Sequence, residues 1–374
     1  MLKLPSREKA LTGVIGAVIL TAGRACGKKR GWLAALFSVP SVYAVNCVAA
    51  VCSSDIMRTA TLCLLAVAAS LDGQSLTPPV RTLPVPVDAS PPNMRSFWSR
   101  GYAIYSDLNT GSISVYETSG QRAKVVSQVQ IWPNGTYSLD ITSAAAAPRG
   151  TIFAASGSAY ASTGEATGFL AFFGGGGPVK LVQLPYTGLF RVAFADDGTL
   201  WAIVREVSTF TALPEYNTLR HYDSTGKMLG SLLPASAFPG LPRAMLMPSL
   251  SASSETIGVY YDLARVWIEL GYDGSTKGRW SVPDVVVPNG QRVRTLSISL
   301  SLTASGRVVR VSSTRGSQPS ACSNVEYLTK SGPSLVSTPV NVSPAFSGPA
   351  FIRGFLGDQI VWQAKGMLNW SNFQ

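Results

Sequence analysis

Six carboxylate side chains could do acid–base or glycoside-cleaving chemistry, which needs two carboxyl groups held near one another. They are Asp140, Glu165, Glu206, Glu215, Asp262 and Glu269. Asp140 and Asp262 stand near predicted inner strands, which would lie beside a central channel if the predicted sheets form a ring. No pair has a spacing that argues for a shared geometry, and aspartates commonly cap turns through their side-chain oxygens. We therefore take Asp140 and Asp262 as candidate ligand-binding residues and assign no catalytic residue.

Two aromatic side chains stand in a loop that is long for a connection between neighbouring strands. The loop covers residues 207–218, and its surroundings are polar around Phe210 and Tyr216. Binding residues concentrate on such loops. Exposed aromatic rings can stack on sugars or grip a peptide, although most rings in β proteins fill space between sheets. Phe210 and Tyr216 are therefore predicted to bind a ligand.

Histidine and cysteine usage narrows the chemistry further. His221 is the only histidine, which excludes clustered histidine metal sites and Ser-His-Asp chemistry on any other histidine. Its place before Tyr222 in a predicted strand indicates a packing or surface role. Four of the five cysteines lie in the first 63 residues, so the rest of the chain has no intrachain disulfide. No cofactor and no metal are predicted, except for Ca²⁺ in the enzymatic alternative.

A β-rich framework must position these residues, and it is clearest at residues 189–233. The strand begins with alternating apolar positions, typical of a half-buried strand: Phe190, Val192 and Phe194. Asp-Gly at 197–198 predicts a hairpin turn, because glycine takes a positive φ at no steric cost. The aromatic and β-branched run at 200–204 predicts the return strand. A second hairpin follows around 223–226, which completes a four-stranded antiparallel sheet of about 45 residues.

Two classes of turn repeat along the chain and alternate strictly. One class follows an aromatic residue and closes near glycine, at 116–120, 172–177, 222–226, 272–276 and 327–332. The other lies at 149–150, 197–198, 254–255, 305–306 and 357–358. Within a class the spacing is about 48 to 57 residues, in the range of β-propeller blades.

The phase of the repeat predicts how the chain ends meet. The first aromatic hairpin, at 112–131, has no clear hairpin before it, and the last hairpin, at 351–362, has none after it. Joining them would complete a blade and remove free sheet edges. The predicted fold is therefore all-β: a β-propeller of five four-stranded blades, or six if both ends build their own, closed by pairing of N- and C-terminal strands.

The turn sequences resemble those of a known group. Tyr222-Asp-Ser-Thr-Gly-Lys-Met-Leu229 is similar to the Y-D-x-x-G-K-x-L hairpin of secreted bacterial propellers of the NHL and TolB-like, six-bladed type. Asp197-Gly-Thr-Leu-Trp201 resembles the D-G-x-L-W hairpin of the same group. The resemblance lies in the repeat and implies the architecture. The metal-binding positions of the lactonases in that group cannot be placed on this sequence.

The N-terminal region predicts export. Residues 57–75 contain a start methionine, Arg58, an apolar stretch at 59–67 and small residues at 68–70, as in a secretory signal peptide. Residues 1–56 are an apolar extension, either a mis-set start or a membrane span, since 31–52 carry no charge. Both alternatives place the repeat region outside the cytoplasm, either secreted or in the periplasm and cell envelope.

The remaining chain divides into two parts. Residues 76–95 hold six prolines and predict a linker or a strap along the domain surface, and residues 96–374 are the predicted propeller. The net charge is +11, but after residue 75 the basic residues are scattered without a run, which disfavours nucleic acid as a partner.

These features favour a binding function over catalysis. The predicted function is an exported binding or scaffolding module, monomeric, for a protein or carbohydrate partner. The alternative is an extracytoplasmic lactonase or glycoside-type hydrolase that uses carboxylates at the channel mouth, with Ca²⁺. A membrane-anchored form follows only if residues 31–52 are a true span.

Overall fold

The chain folds into antiparallel sheets, and a 3-10 turn at Ala235–Ala237 is the one helical element among the described residues. The computed structural model describes residues 74–87, 93–133, 135–185, 187–208, 211–212, 215–238, 248–285, 296–315, 321–346 and 350–374. All of them belong to one compact unit, Gly73–Gln374. The predicted N-terminal extension, the signal segment up to residue 73 and Phe210 lie outside the described residues. The described part contains no helix with the length and hydropathy of a membrane span.

The first three sheets follow one another along the chain. A short strand, β1 (Arg81–Pro84), precedes them. Sheet 1 contains β2 (Met94–Ser99), β3 (Tyr102–Asp107), β4 (Ser112–Glu117) and β5 (Lys124–Gln130). Sheet 2 contains β6 (Ser138–Ala146), β7 (Ile152–Tyr160), β8 (Ala166–Gly174) and β9 (Gly177–Pro185). Sheet 3 contains β10 (Thr187–Phe194), β11 (Leu200–Ser208), β13 (Asn217–Tyr222) and β14 (Met228–Pro234), with β12 (Thr211–Ala212) paired to β11.

Three further four-stranded units complete the described chain. Sheet 4 contains β15 (Ser249–Ala252), β16 (Thr256–Tyr261), β17 (Val266–Gly271) and β18 (Thr276–Ser281). Sheet 5 contains β19 (Leu296–Leu302), β20 (Val308–Arg315), β21 (Ala321–Ser331) and β22 (Ser334–Pro339), and one parallel pair, Ser281 with Ser334, joins sheets 4 and 5. Sheet 6 contains β23 (Phe351–Leu356), β24 (Gln359–Ala364), β25 (Met367–Ser371) and β1.

Sheet 6 joins the two ends of the described chain. Strand β1 pairs antiparallel with β25, in register from Arg81 opposite Trp370 to Pro84 opposite Met367. The Arg81 guanidinium lies 4.4 Å from the centre of the Trp370 ring. Part of the proline-rich segment is therefore a strand. Pro84 ends that strand, where its missing N–H is tolerated on an edge.

One sequence-based expectation about these ends is wrong. The hairpins at 112–131 and 351–362 do not share a sheet, because β2 and β3 complete the first one and β25 and β1 complete the second. Each end of the chain therefore supplies enough strands for its own sheet. The described residues form six four-stranded units rather than five.

The predicted turns are stabilised by aspartate side chains. Asp197 accepts the backbone N–H of Thr199 at 2.9 Å and its hydroxyl at 2.6 Å. Asp223 accepts the same two groups from Thr225, at 2.8 and 2.7 Å. A hydrogen bond from the Thr225 side chain is the main cause that lowers the pKa of Asp223. These carboxylates hold the hairpins closed, as turn aspartates commonly do.

Buried apolar clusters lie between neighbouring sheets. Ile113 packs with Phe153 between sheets 1 and 2, and Leu170 with Leu200 between sheets 2 and 3. The pairs for the next three interfaces are Trp201 with Ile257, Trp267 with Leu300, and Tyr327 with Trp362. Sheets 6 and 1 also share a cluster, in which Trp98 packs against Leu83, Val361, Leu368 and Trp370. Each sheet thus buries both faces against neighbours, which gives a propeller-like all-β fold.

Candidate functional site

The first strands of the six sheets surround one cavity of about 480 Å³. Residues of β2, β6, β10, β15, β19 and β23 line it, and we call it the axial cavity. Its volume lies in the range of small-molecule sites. Because every sheet contributes its first strand, the shape of the cavity depends on how all six sheets pack.

Serine side chains fix the first strands against one another. Ser99 Oγ accepts the backbone N–H of Ala146 at 3.0 Å, which ties sheet 1 to sheet 2. In the same way Ser143 accepts from Val192 at 3.1 Å, and Ser251 from Leu302 at 2.8 Å. All three serines line the cavity. Since each oxygen accepts a bond in this way, the hydroxyl hydrogen stays available as a donor.

Three arginines also line the axial cavity: Arg100, Arg191 and Arg353. Arg191 Nη1 donates to two backbone carbonyls, Phe190 at 2.9 Å and Thr142 at 3.3 Å. Arg353 donates from Nε and Nη2 to Gln363 Oε1, at 2.9 and 2.6 Å, and from Nη1 to Ser96 Oγ at 3.0 Å.

Only one of these arginines has a carboxylate partner within the part of the chain that the structure describes. Arg100 contacts Asp196 at 2.5 Å and donates to the Phe194 carbonyl at 2.9 Å. Arg191 and Arg353 make no ion pair with a described acidic residue. Burial lowers the pKa of both guanidiniums, although the Arg191 side chain remains exposed. Arginine stays charged in proteins, so two positive charges line the cavity with no counter-charge among the described residues.

Irregularities in the first strands accompany this arrangement. The register of β10 against β11 shifts between Leu189 and Arg191, and that of β23 against β24 between Ile352 and Gly354. A β-bulge breaks the alternation of side chains and re-aims its neighbours, which is why bulges recur beside functional sites. Both arginines therefore occupy positions where regular alternation alone does not fix the direction of the side chain.

One aromatic wall of the cavity depends on a glycine. Gly354 has φ +156°, and a Cβ at this position would come within 2.8 Å of Trp98 Cδ1. The Trp98 ring therefore packs directly on β23. It also meets the Trp370 ring edge to face, with ring centres 5.8 Å apart. The indole N–H of Trp98 has no hydrogen-bond partner among the described residues.

The predicted site residues do not meet in this cavity. Asp140 lies in β6 opposite Ser158, and Asp262 lies in the turn after β16; neither is among the residues that line the cavity. Burial, followed by the charge of Asp262, raises the pKa of Tyr260 to about 12. Tyr216, expected in an exposed loop, is only 6% exposed. Its burial also raises its pKa. The ligand-binding roles of Asp140, Asp262 and Tyr216 stay predictions.

Sequence reasoning missed the arginines because it searched for carboxylates and loop aromatics. A signal was present in the sequence. Arg191 interrupts the apolar strand 189–194, and Arg353 stands at a similar place within 351–356. A charged residue inside a first strand is costly to bury unless it faces a cavity or a partner. His221, in contrast, stacks on Trp201 with ring centres 4.1 Å apart, and burial lowers its pKa.

The described residues offer no metal-binding geometry. No group of three His, Cys, Asp or Glu side chains among them lies close enough together to hold an ion. The cavity lining adds no carboxylate and no imidazole within the same residues.

Comparison with known proteins gives no family. No protein-family model and no curated protein matches the chain. Similar solved structures include PQQ-bound aldose sugar dehydrogenase from Streptomyces coelicolor, at 13% identity over 80% of this chain and 98% of that one, with a TM-score of 0.42. A luciferin-regenerating enzyme is 10% identical over 78% of this chain and 95% of that one, with a TM-score of 0.40. A putative exported protein from Bacteroides fragilis is 10% identical over 71% of this chain and 76% of that one, also with a TM-score of 0.40. Likeness at this level carries no weight for function.

Proposed function

We propose that the chain is an exported six-bladed β-propeller of the NHL and TolB-like type that acts as a binding module. The six sheets are the blades, and β1 closes the ring on β25. The support is the apolar cluster between every neighbouring pair of sheets, sheets 6 and 1 included, together with the cavity that all six first strands line. The ligand is a carbohydrate or a protein segment taken at the axial cavity.

One observation favours binding over hydrolysis. The described lining of the axial cavity offers serine hydroxyls, arginines and apolar groups, but no carboxylate and no histidine. Acid–base cleavage of a lactone or glycoside needs a group that exchanges a proton near neutral pH, which these side chains do not provide. The hydrolase alternative would have to use Asp140 and Asp262, and Ca²⁺, away from this cavity.

Export is proposed on the sequence of residues 57–75. Cleavage after the small residues at 68–70 would leave a mature protein that still contains Ser75 and β1. Ser75 and Leu76 bridge to Asn341 and Phe373, so the retained segment is held by the domain. Mass spectrometry of the protein recovered from outside the cytoplasm should find an N-terminus within 71–75. Recovery of an intact N-terminus in the membrane fraction would favour the anchored form.

A cavity-filling variant tests the binding function. Ala193 lines the axial cavity, and Ala193→Trp should fill part of it. The control is Ala166→Trp, the same change at an exposed position that starts β8. Thermal unfolding is followed while monosaccharides, oligosaccharides, peptides and organic acids are added, since a ligand that binds the folded state raises its stability.

The outcomes separate the two functions. A binding module predicts at least one ligand class that stabilises the wild type and the Ala166→Trp control but not the Ala193→Trp variant. Turnover of a chromogenic lactone or glycoside in the presence of Ca²⁺, lost in Asp140→Asn or Asp262→Asn, would instead support the hydrolase. Stabilisation that is equal in all three proteins would place the ligand elsewhere and refute the cavity as the site.

A further inference from the structure

We propose that the ligand of the axial cavity is a small organic anion whose carboxylate or phosphate oxygens are bound by Arg191 and Arg353. This inference rests on the proposed binding function and changes its ligand class: an acidic carbohydrate such as a sugar acid or a sugar phosphate fits both proposals, and a hydroxy acid fits only this one. It follows from an imbalance between hydrogen-bond donors and acceptors around the cavity.

The donors come first from the arginines. A guanidinium has five N–H groups, and Arg191 uses only its Nη1 nitrogen, toward two backbone carbonyls. Its Nε and Nη2 groups have no hydrogen-bond partner among the described residues, and water reaches the side chain. The three bonds of Arg353 leave two of its five N–H groups without a partner among the described residues. Pairs of such N–H groups match the two oxygens of a carboxylate or phosphate.

Neutral donors add to the imbalance. The hydroxyls of Ser99, Ser143 and Ser251 each accept one backbone N–H, and their O–H hydrogens have no acceptor among the described residues. A ligand that satisfies this lining must therefore be rich in acceptors.

Charge leads to the same class of ligand. The lining residues that the structure describes include no carboxylate, and the Asp196 carboxylate is taken by Arg100. Arg353 is half-buried and its burial lowers its pKa, so its charged form is disfavoured there. An anion in the cavity would offset that cost, whereas a neutral sugar would leave both charges uncompensated.

Size excludes large polyanions from the interior. A cavity of about 480 Å³ holds a molecule of drug-like size. The apolar walls formed by Phe97, Leu250 and Phe355 indicate that the anion carries a carbon skeleton, as a sugar acid, a hydroxy acid or a sugar phosphate does.

Calorimetric titration of the full chain tests the proposal. The probes are D-glucuronate and citrate for carboxylates, glucose 6-phosphate for phosphates, inorganic phosphate alone, and glucose as the neutral match. The variants are Arg191→Gln, which removes the charge, and Arg191→Lys, which keeps the charge but lacks the paired N–H groups of the planar guanidinium. The control is Arg265→Gln, the same charge change at a side chain that is 59% exposed and pairs with Asp284. Thermal unfolding of each variant checks folding, and Arg191→Lys carries the test if Arg191→Gln does not fold.

At least one organic anion should bind the wild type and the Arg265→Gln control equally, and glucose should not bind. Arg191→Gln should raise the Kd by about 10- to 100-fold, the usual effect of losing a hydrogen bond to a charged group. The Kd of Arg191→Lys should lie between those of the wild type and Arg191→Gln. Preference for glucuronate and citrate over glucose 6-phosphate, or the reverse, identifies carboxylate or phosphate as the bound group.

Three results would overturn the anion assignment. The first is an organic anion that binds the wild type and Arg191→Gln equally, and the second is inorganic phosphate that binds as tightly as every organic anion. The third is that no anion binds at about 10 mM, a concentration well above ordinary Kd values. If a neutral ligand sensitive to Ala193→Trp is then found, the binding function stands and only the anion assignment fails. If no ligand of any class is sensitive to Ala193→Trp, both fail.

Discussion

The stability of sheet 5 should depend strongly on one buried ion pair. The Arg310 side chain is 1% exposed and that of Glu326 is 13% exposed, and Arg310 Nε lies 2.6 Å from Glu326 Oε2. Arg310 also donates to the carbonyl of Pro283 at 2.5 Å, and Ser337 donates to the second oxygen of Glu326. The pair thus connects three strands of sheet 5 with the segment that follows sheet 4.

Replacing Glu326 by leucine leaves the Arg310 charge buried without its partner. Breaking a buried pair from one side costs about 3–5 kcal/mol. That is a large part of the 5–15 kcal/mol of total stability typical of folded domains. For a unit of this size the midpoint of thermal unfolding should fall by about 5–8 °C. The double variant Arg310→Met/Glu326→Leu should recover most of the loss, because no buried charge remains.

The same pair predicts how stability depends on pH. Burial alone would raise the pKa of Glu326, but the hydrogen bonds from Arg310 and Ser337 and the Arg310 charge lower it below its ordinary value. A carboxyl group with a lowered folded-state pKa stabilises the fold above its unfolded-state pKa. That contribution is lost as the pH falls through the folded-state pKa. The Glu326→Leu variant should therefore lose less stability on acidification than the wild type.

Urea unfolding followed by tryptophan fluorescence measures these differences. The control is Asp284→Leu, which breaks the exposed pair with Arg265 and should cost less than about 1 kcal/mol. A loss below about 1 kcal/mol for Glu326→Leu, or a double variant no more stable than the single one, would refute the reasoning, since the expected cost arises from an unpaired buried charge.

Three further predictions concern other parts of the fold. Gly150→Ala should cost more than about 2 kcal/mol by urea unfolding, because φ is +62° and the new Cβ would lie 1.7 Å from the Tyr102 hydroxyl. Gly198→Ala, at φ +85° with open space around it, should cost only about 1 kcal/mol, and equal losses would contradict the packing argument. Tyr260, with its pKa raised to about 12, should stay un-ionised in the folded protein at pH 11, which ultraviolet titration measures. Its raised pKa stabilises the fold below pH 10, and this contribution is lost as the pH rises toward 12. Leu83→Ala in β1 should cost about 2–5 kcal/mol in the same urea assay, and a negligible loss would show that β1 does not hold sheet 6.

Much of the local structure was readable from the sequence. The Asp-Gly turn at 197–198 and the Tyr-Asp turn at 222–226 form as predicted, with the aspartate oxygens bonded two residues ahead. Turn chemistry is local, since it depends on residues within four positions of one another. The candidate site was not readable in the same way. The sequence predicts ligand binding by the carboxylates Asp140 and Asp262, and the described cavity lining contains no carboxylate.

A β-rich chain built from repeated hairpins follows from the sequence alone, because alternation and turn residues act over a few positions. Tertiary structure alone decided that the described chain forms six four-stranded units and not five, since this depends on contacts such as Thr82 with Asn369, 287 residues apart. It also decided that Arg191 and Arg353 line one cavity. That shared lining depends on strand irregularities and on the packing of six sheets, and neither is encoded in any single stretch of residues.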